Sequence, residues 1–244
     1  MTASYTIVVR DFFEAGGVYT LTVTEGKAAS DADSNRTIFY FVDDDGVPLN
    51  GGVNSSETLL ALLEPNYSVD MWISSVDGPL PEDALAGYGL IIWDSGDYVN
   101  EAGFLDEDVS FILNQFEGKK LLITGSVPSI FGELPLASLA AVQVVGDDPV
   151  LLNGLEPGEV WSLDAVYETA VSDVYTSAPD PNAITFLLRG PGDDEEDAIV
   201  GFAIDDQEFD QQSVFLMLPF SSLPDEIEPI LLTNILAWLN FNPE

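Results

Sequence analysis

The 244-residue chain contains no cysteine and no histidine. The first absence excludes disulfides, zinc–thiolate sites and thiol catalysis. The second removes the residue that usually activates a serine hydroxyl. Basic residues are scarce: 6 Lys+Arg stand against 43 Asp+Glu, a formal net charge of −37. A surface this acidic repels nucleic acid and anionic membranes, so neither is an expected partner. It suits high salt, multivalent cations or simple solubility. No apolar run reaches the roughly 18–20 residues of a membrane span, and membrane insertion is not expected. Residues Met1 to Tyr5 lack the basic start and apolar run of a signal peptide. Two expectations stand: a cytoplasmic protein, or a piece of a longer exported chain.

What is present is a hydrophobic share of 46%, enough for a sizeable core in one large domain or one domain with a small appendage. The organising stretch is Lys120 to Ser129, where an unbroken apolar run ends in a small-residue turn. That pattern predicts a buried parallel strand delivering its C-terminal end to a crevice, where open α/β sheets place their sites. Around it, Thr37–Val42, Val69–Ile73 and Leu90–Trp93 read as further strands. Asn54–Glu57 resembles a capping box ahead of Leu59, Leu60, Leu62 and Leu63. Brief helices are expected over Pro81–Tyr88 and Asp106–Phe116, the latter with Val109, Ile112, Leu113 and Phe116 on one face. This alternation argues for βαβ units and a parallel sheet. After Ala141 the pattern changes. Ala183–Leu188, Ala198–Ile204 and Ser213–Leu218 read as an antiparallel extension. Ile230–Leu239 closes the chain as an apolar helix, with Ile230, Leu231, Ile235, Trp238 and Leu239 in the core.

At the other end, Tyr5–Val9 and Val18–Val23 flank the turn-forming Glu14–Gly17 and predict a β-hairpin. A polar, small-residue linker follows at Glu25–Asn35. The expected division is therefore a hairpin appendage and linker over 1–30 and an α/β domain over 36–244. A lone hairpin is marginal in water. Contact with another protein chain, with its own subunits or with a missing parent domain is expected of it; docking on the sheet of its own chain is the alternative.

From Thr37 to Phe241 the chain resembles the class I glutamine amidotransferase-like superfamily, of the divergent kind attached to secreted bacterial peptidases and surface proteins. The stretches that carry the resemblance are Phe41–Gly46, Gly89–Gly96, Leu121–Gly125, and Leu216–Phe220 with Leu231–Leu239. Gly17–Val23 resembles the last strand of a bacterial pre-peptidase C-terminal domain. The resemblance implies a flavodoxin-like α/β fold, a mostly parallel sheet flanked by helices, and an extracellular or cell-surface location. It also implies a cysteine on the turn after the central strand and a His-Pro-Glu after a late strand. Here the turn is Gly125-Ser126-Val127-Pro128-Ser129, and the late string is Leu218-Pro219-Phe220. Nucleophile, base and orienting carboxylate are all missing, so no catalytic residue is expected and the chain is read as a non-enzyme. Ser126 and Ser129 are expected to serve a tight turn and not as nucleophiles.

Asp43, Asp44 and Asp45 follow the first strand of the domain, and Asp94 and Asp97 the third. If those strands are neighbours, the carboxylates converge on a crevice rim. Two readings stand: a hard-cation site such as Ca²⁺, or turn formation, capping and a solvated rim. The acidic block Asp193–Asp197 reads as a solvated loop, with a loosely held cation as the alternative. Trp72, Trp93 and Trp161 are candidates to stack on a sugar; Trp93 sits in a buried run, which leaves Trp161 as the one to examine. The expected function is a non-catalytic structural, interaction or assembly module. The alternatives are a Ca²⁺- or glycan-binding module and a carboxylate-dependent hydrolase.

Overall fold

Strands that are buried on both faces are written as continuous apolar runs, because every side chain must be covered. Three such runs form the centre of the fold. In the computed structural model, which describes residues 37–44, 54–78, 80, 84–96, 118–125, 140–163, 184–189, 199–206 and 211–241, they are β1 (Thr37–Val42), β3 (Leu90–Asp94) and β4 (Lys120–Thr124). All of β1 and β3 is buried. The other strands are β2 (Ser68–Ile73), β5 (Ala141–Val144), β6 (Val160–Ser162), β7 (Ile184–Arg189), β8 (Ile199–Asp206) and β9 (Gln211–Leu216).

Among the described residues these strands make one nine-stranded sheet in the order β2-β1-β3-β4-β9-β8-β7-β5-β6. The first five are mutually parallel. From β9 onward each neighbouring pair is antiparallel. The fold is flavodoxin-like α/β, with an antiparallel extension.

The extension does not consist of the three late strands alone. β9 lies parallel against β4 and antiparallel against β8, so it belongs to both halves. Strand direction is a tertiary property that local patterning does not encode. The extension is completed by β5 and β6, short strands on which Val142, Val144 and Trp161 are buried. The helix expected over Pro81–Tyr88 is, where described, a turn over 84–87, with Gly87 at a φ of 91°. The helix expected over Asp106–Phe116, the hairpin of residues 5–23 and the block Asp193–Asp197 lie outside the described residues.

Helix α1 (Ser55–Leu63) starts as its sequence predicts: the Asn54 side chain accepts from the Ser56 N–H at 3.4 Å, and Leu59 and Leu63 are buried. A single turn, α2 (Ser74–Asp77), follows β2. Helix α3 (Glu228–Trp238) has proline in its first turn, where a missing N–H costs nothing. It buries Leu231, Leu232, Ile235 and Leu236, whereas Ile230, expected in the core, is 38% exposed. Asn234 on its buried face donates to the carbonyls of Leu151 (3.0 Å) and Asn153 (2.8 Å), tying the helix to the segment after β5.

Candidate functional site

The parallel register brings the C-terminal ends of β1, β3, β4 and β9 side by side. Backbone bonds carry the alignment past the strands. The Asp43 N–H donates to the Asp94 carbonyl (2.8 Å), Ser95 to that of Thr124 (3.0 Å), and Gly125 to those of Leu216 (3.2 Å) and Leu218 (2.9 Å). Four segments distant in sequence therefore share one edge: Asp43–Asp44, Asp94–Gly96, Thr124–Gly125 and Leu218–Phe220.

Two of the acidic residues lie deep in this edge. Asp94 is fully buried; its Oδ2 accepts from the Tyr40 hydroxyl at 2.7 Å and its Oδ1 from the Gly96 N–H at 2.9 Å. Asp44 is also buried, with its carboxylate packed against Gly96. A Cβ at Gly96 would stand 2.5 Å from Asp44 Cγ, and the residue sits at a φ of 59°. Glycine is the residue that lets both carboxylates close on one backbone. Burial pushes the Tyr40 phenol well above its ordinary range, and the Asp94 charge, the hydrogen bond to Asp94 and the Asp44 charge add to it. Tyr40 is thus a neutral donor that feels both carboxylates. Asp43 is half-buried beside them. Asp45 and Asp97 lie outside the described residues, and among the described residues no three acidic groups are gathered as a metal would require.

The turn after β4 is built just as tightly. Gly125 has a φ of 107°, and a Cβ there would meet Ser95 Oγ at 2.4 Å and the Gly96 backbone at 2.7 and 2.8 Å. The hydroxyls around it hold backbone. Thr124 Oγ1 donates to the Leu218 carbonyl (3.0 Å), Ser95 Oγ to that of Thr124 (3.3 Å), and Ser55 Oγ accepts from the Phe220 N–H (3.1 Å). Ser126 and Ser129 lie outside the described residues. Leu218 and Phe220, which stand where the resemblance implies His and Glu, are fully buried apolar side chains. Lys119 and Lys120 are at the opposite end of β4, donating to the carbonyls of Tyr88 and Asn240 respectively.

Two of the three candidate tryptophans are buried and offer no face to a sugar. Trp161, singled out from the sequence, is buried at 3% exposure on β6, opposite Val142. Trp93 is buried and packs obliquely against Phe41. Trp72 is half-buried and donates to the Gly78 carbonyl at 3.0 Å. Sequence reasoning missed Tyr40, because a tyrosine inside an apolar strand carries no local sign of a buried acidic partner fifty-four positions away.

Solved structures share this arrangement of strands and helices. The fold is amidotransferase-like. A GMP synthase subunit protein from Thermoplasma acidophilum matches with a TM-score of 0.52 at 10% identity, over 84% of this chain and 94% of that one. A ThuA-like protein from Bacteroides uniformis matches with a TM-score of 0.52 at 13% identity, over 90% and 97%. A glutamine amidotransferase from Thermotoga maritima matches with a TM-score of 0.49 at 11% identity, over 84% and 98%. No protein-family model and no curated protein matches the sequence. At these identities the likeness is one of fold.

Proposed function

We propose that this chain is a non-catalytic structural or interaction module on an amidotransferase-like scaffold, belonging to an exported or cell-surface protein. The observation that supports this is the meeting of the turn after β4 with Leu218–Pro219–Phe220. Gly125 bonds directly to the Leu218 carbonyl, so the two places that would hold a thiol and its base are adjacent. The chain puts Ser126 in one and buried Leu218 and Phe220 around the other, and it has no cysteine or histidine to supply from elsewhere. A serine hydroxyl without a nearby base is a poor nucleophile. Purified protein should show no glutaminase, esterase or peptidase turnover above buffer. Robust turnover that survives chelators and further purification overturns this reading.

A second reading is a Ca²⁺-holding crevice rim formed by Asp43, Asp44, Asp45, Asp94 and Asp97, of which Asp44 and Asp94 are buried around Gly96. Carboxylate oxygens are hard donors, and cation binding there would offset the repulsion between them. Thermal melts in NaCl, in CaCl₂ and with chelator separate the two. Screening of the −37 charge raises Tm in either salt; a gain specific to CaCl₂ that Asp94→Asn removes supports the site, and no gain beyond NaCl eliminates it.

A further inference from the structure

β2 is the edge strand of the parallel half, and β1 is its one strand partner among the described residues. Register against β1 puts Val69, Met71 and Ile73 on the side of Ile38, Tyr40 and Val42, and Ser68, Asp70 and Trp72 on the other. That apolar row is only partly covered: Met71 is 41% exposed, and Val69 and Ile73 pack against the core half-buried. An edge of six residues with a partly covered apolar row is a template for one more strand.

We infer that residues 18–23 of the same chain add antiparallel to the outer edge of β2, with residues 5–9 paired beyond them. The alternation fits. Val18–Val23 has six residues, matching β2, with Tyr19, Leu21 and Val23 on one side and Val18, Thr20 and Thr22 on the other. Tyr19, Leu21 and Val23 continue the row of Val69, Met71 and Ile73, while the threonines continue Ser68 and Asp70. The path fits as well. The segment ahead of the described residues leads into Thr37, which pairs with Ser68 at the start of β2. An antiparallel strand brings Val23 to that same end, about 10 Å from Thr37 by two strand spacings, well within the reach of residues 24–36. Charge favours this occupant. Residues 1–36 hold three of the six basic residues, Arg10, Lys27 and Arg36, and five of the 43 acidic ones. They carry little of the net −37, whereas a second copy would bring all of it against this edge. The inference does not depend on whether the crevice is catalytic.

The lack of native cysteine makes a clean test. Tyr19→Cys, Leu21→Cys and Val23→Cys are each combined with Met71→Cys in the full chain and oxidised mildly. At least one pair should close within the monomer, read as full-chain mass with both thiols consumed. The same three combined with Val160→Cys, on the far edge at β6, should stay reduced. Hydrogen exchange on the unmutated chain gives a readout without substitutions: amides of β2 should exchange on the order of tenfold slower than after deletion of residues 1–30. Disulfides only between chains would overturn the inference and assign the edge to a second copy. Closure with Val160→Cys as readily as with Met71→Cys, or β2 exchange unchanged by the deletion, overturns it as well.

Discussion

Replacing Tyr40 with phenylalanine removes one oxygen from the centre of the site and leaves the ring that fills the core. In the folded protein that hydroxyl donates to Asp94 Oδ2 at 2.7 Å, and both residues are fully buried. Water cannot replace the lost donor without opening the sheet edge. A hydrogen bond to a charged group is worth about 1.5–3 kcal/mol, and a buried acceptor deprived of its donor also keeps its desolvation cost. Asp94 retains the Gly96 N–H on its other oxygen, which places the expected loss near ~2 kcal/mol. In urea, with a slope of about 2–3 kcal/mol/M for a chain this large, the midpoint should fall by roughly 0.7–1 M with no change of slope. The effect has a pH signature. A phenol whose folded pKa is raised contributes stability in full below its ordinary value near 10, and that contribution is lost as pH rises through the higher folded value. The variant should therefore lose part of the alkaline destabilisation seen in the parent. A midpoint within about 0.2 M of the parent at pH 7–8, with an equal slope, would refute the account of Tyr40 as the donor that stabilises Asp94.

Three further substitutions test the backbone geometry and the buried charge. Gly125→Ala adds a Cβ at 2.4 Å from Ser95 Oγ at a φ of 107°, while Gly158→Ala, at a φ of 92° with nothing within 4 Å, incurs the backbone strain alone. The second should cost about 1–2 kcal/mol and the first at least ~3 kcal/mol; equal losses in thermal melts would mean the crevice relaxes around the added carbon. Glu228, at the start of α3, has its carboxyl raised from 4.5 to about 7 by burial and then by the Asp225 charge. The folded state therefore binds this proton more tightly than the unfolded state, and stability is lost as pH rises from 4.5 through 7. Unscreened, the shift corresponds to about 3–3.5 kcal/mol, which solvent screening and the favourable helix N-terminus reduce to about 1–2 kcal/mol. Glu228→Gln should raise Tm by roughly 3–6 °C at pH 8 and leave it unchanged near pH 4; an equal gain at both pH values would mean the effect is not protonation.

The pieces of this protein are legible in its amino-acid order. Continuous apolar runs specify β1, β3 and β4 because a strand covered on both faces must bury nearly every side chain, and a polar one only with a partner. Asn54 specifies where α1 begins, because its side chain satisfies an orphan N–H. The absence of cysteine and histidine is a fact of the chain and limits its chemistry whatever the fold. What the pieces become together depends on contacts that no local stretch contains. β9 looks like any apolar strand, and only its insertion between β4 and β8 makes it parallel to one and antiparallel to the other. β5 and β6 are too short for periodicity to register, and Trp161 on β6 is hidden by the sheet rather than offered to a ligand. The site shows the same division. Asp44 and Asp94 are visible as acidic residues after apolar runs, but that they close on Gly96 beneath Tyr40 follows from β1 and β3 being neighbours. A local pattern encodes how much of a segment must be buried; which buried segments touch is settled when their surfaces compete for the same core.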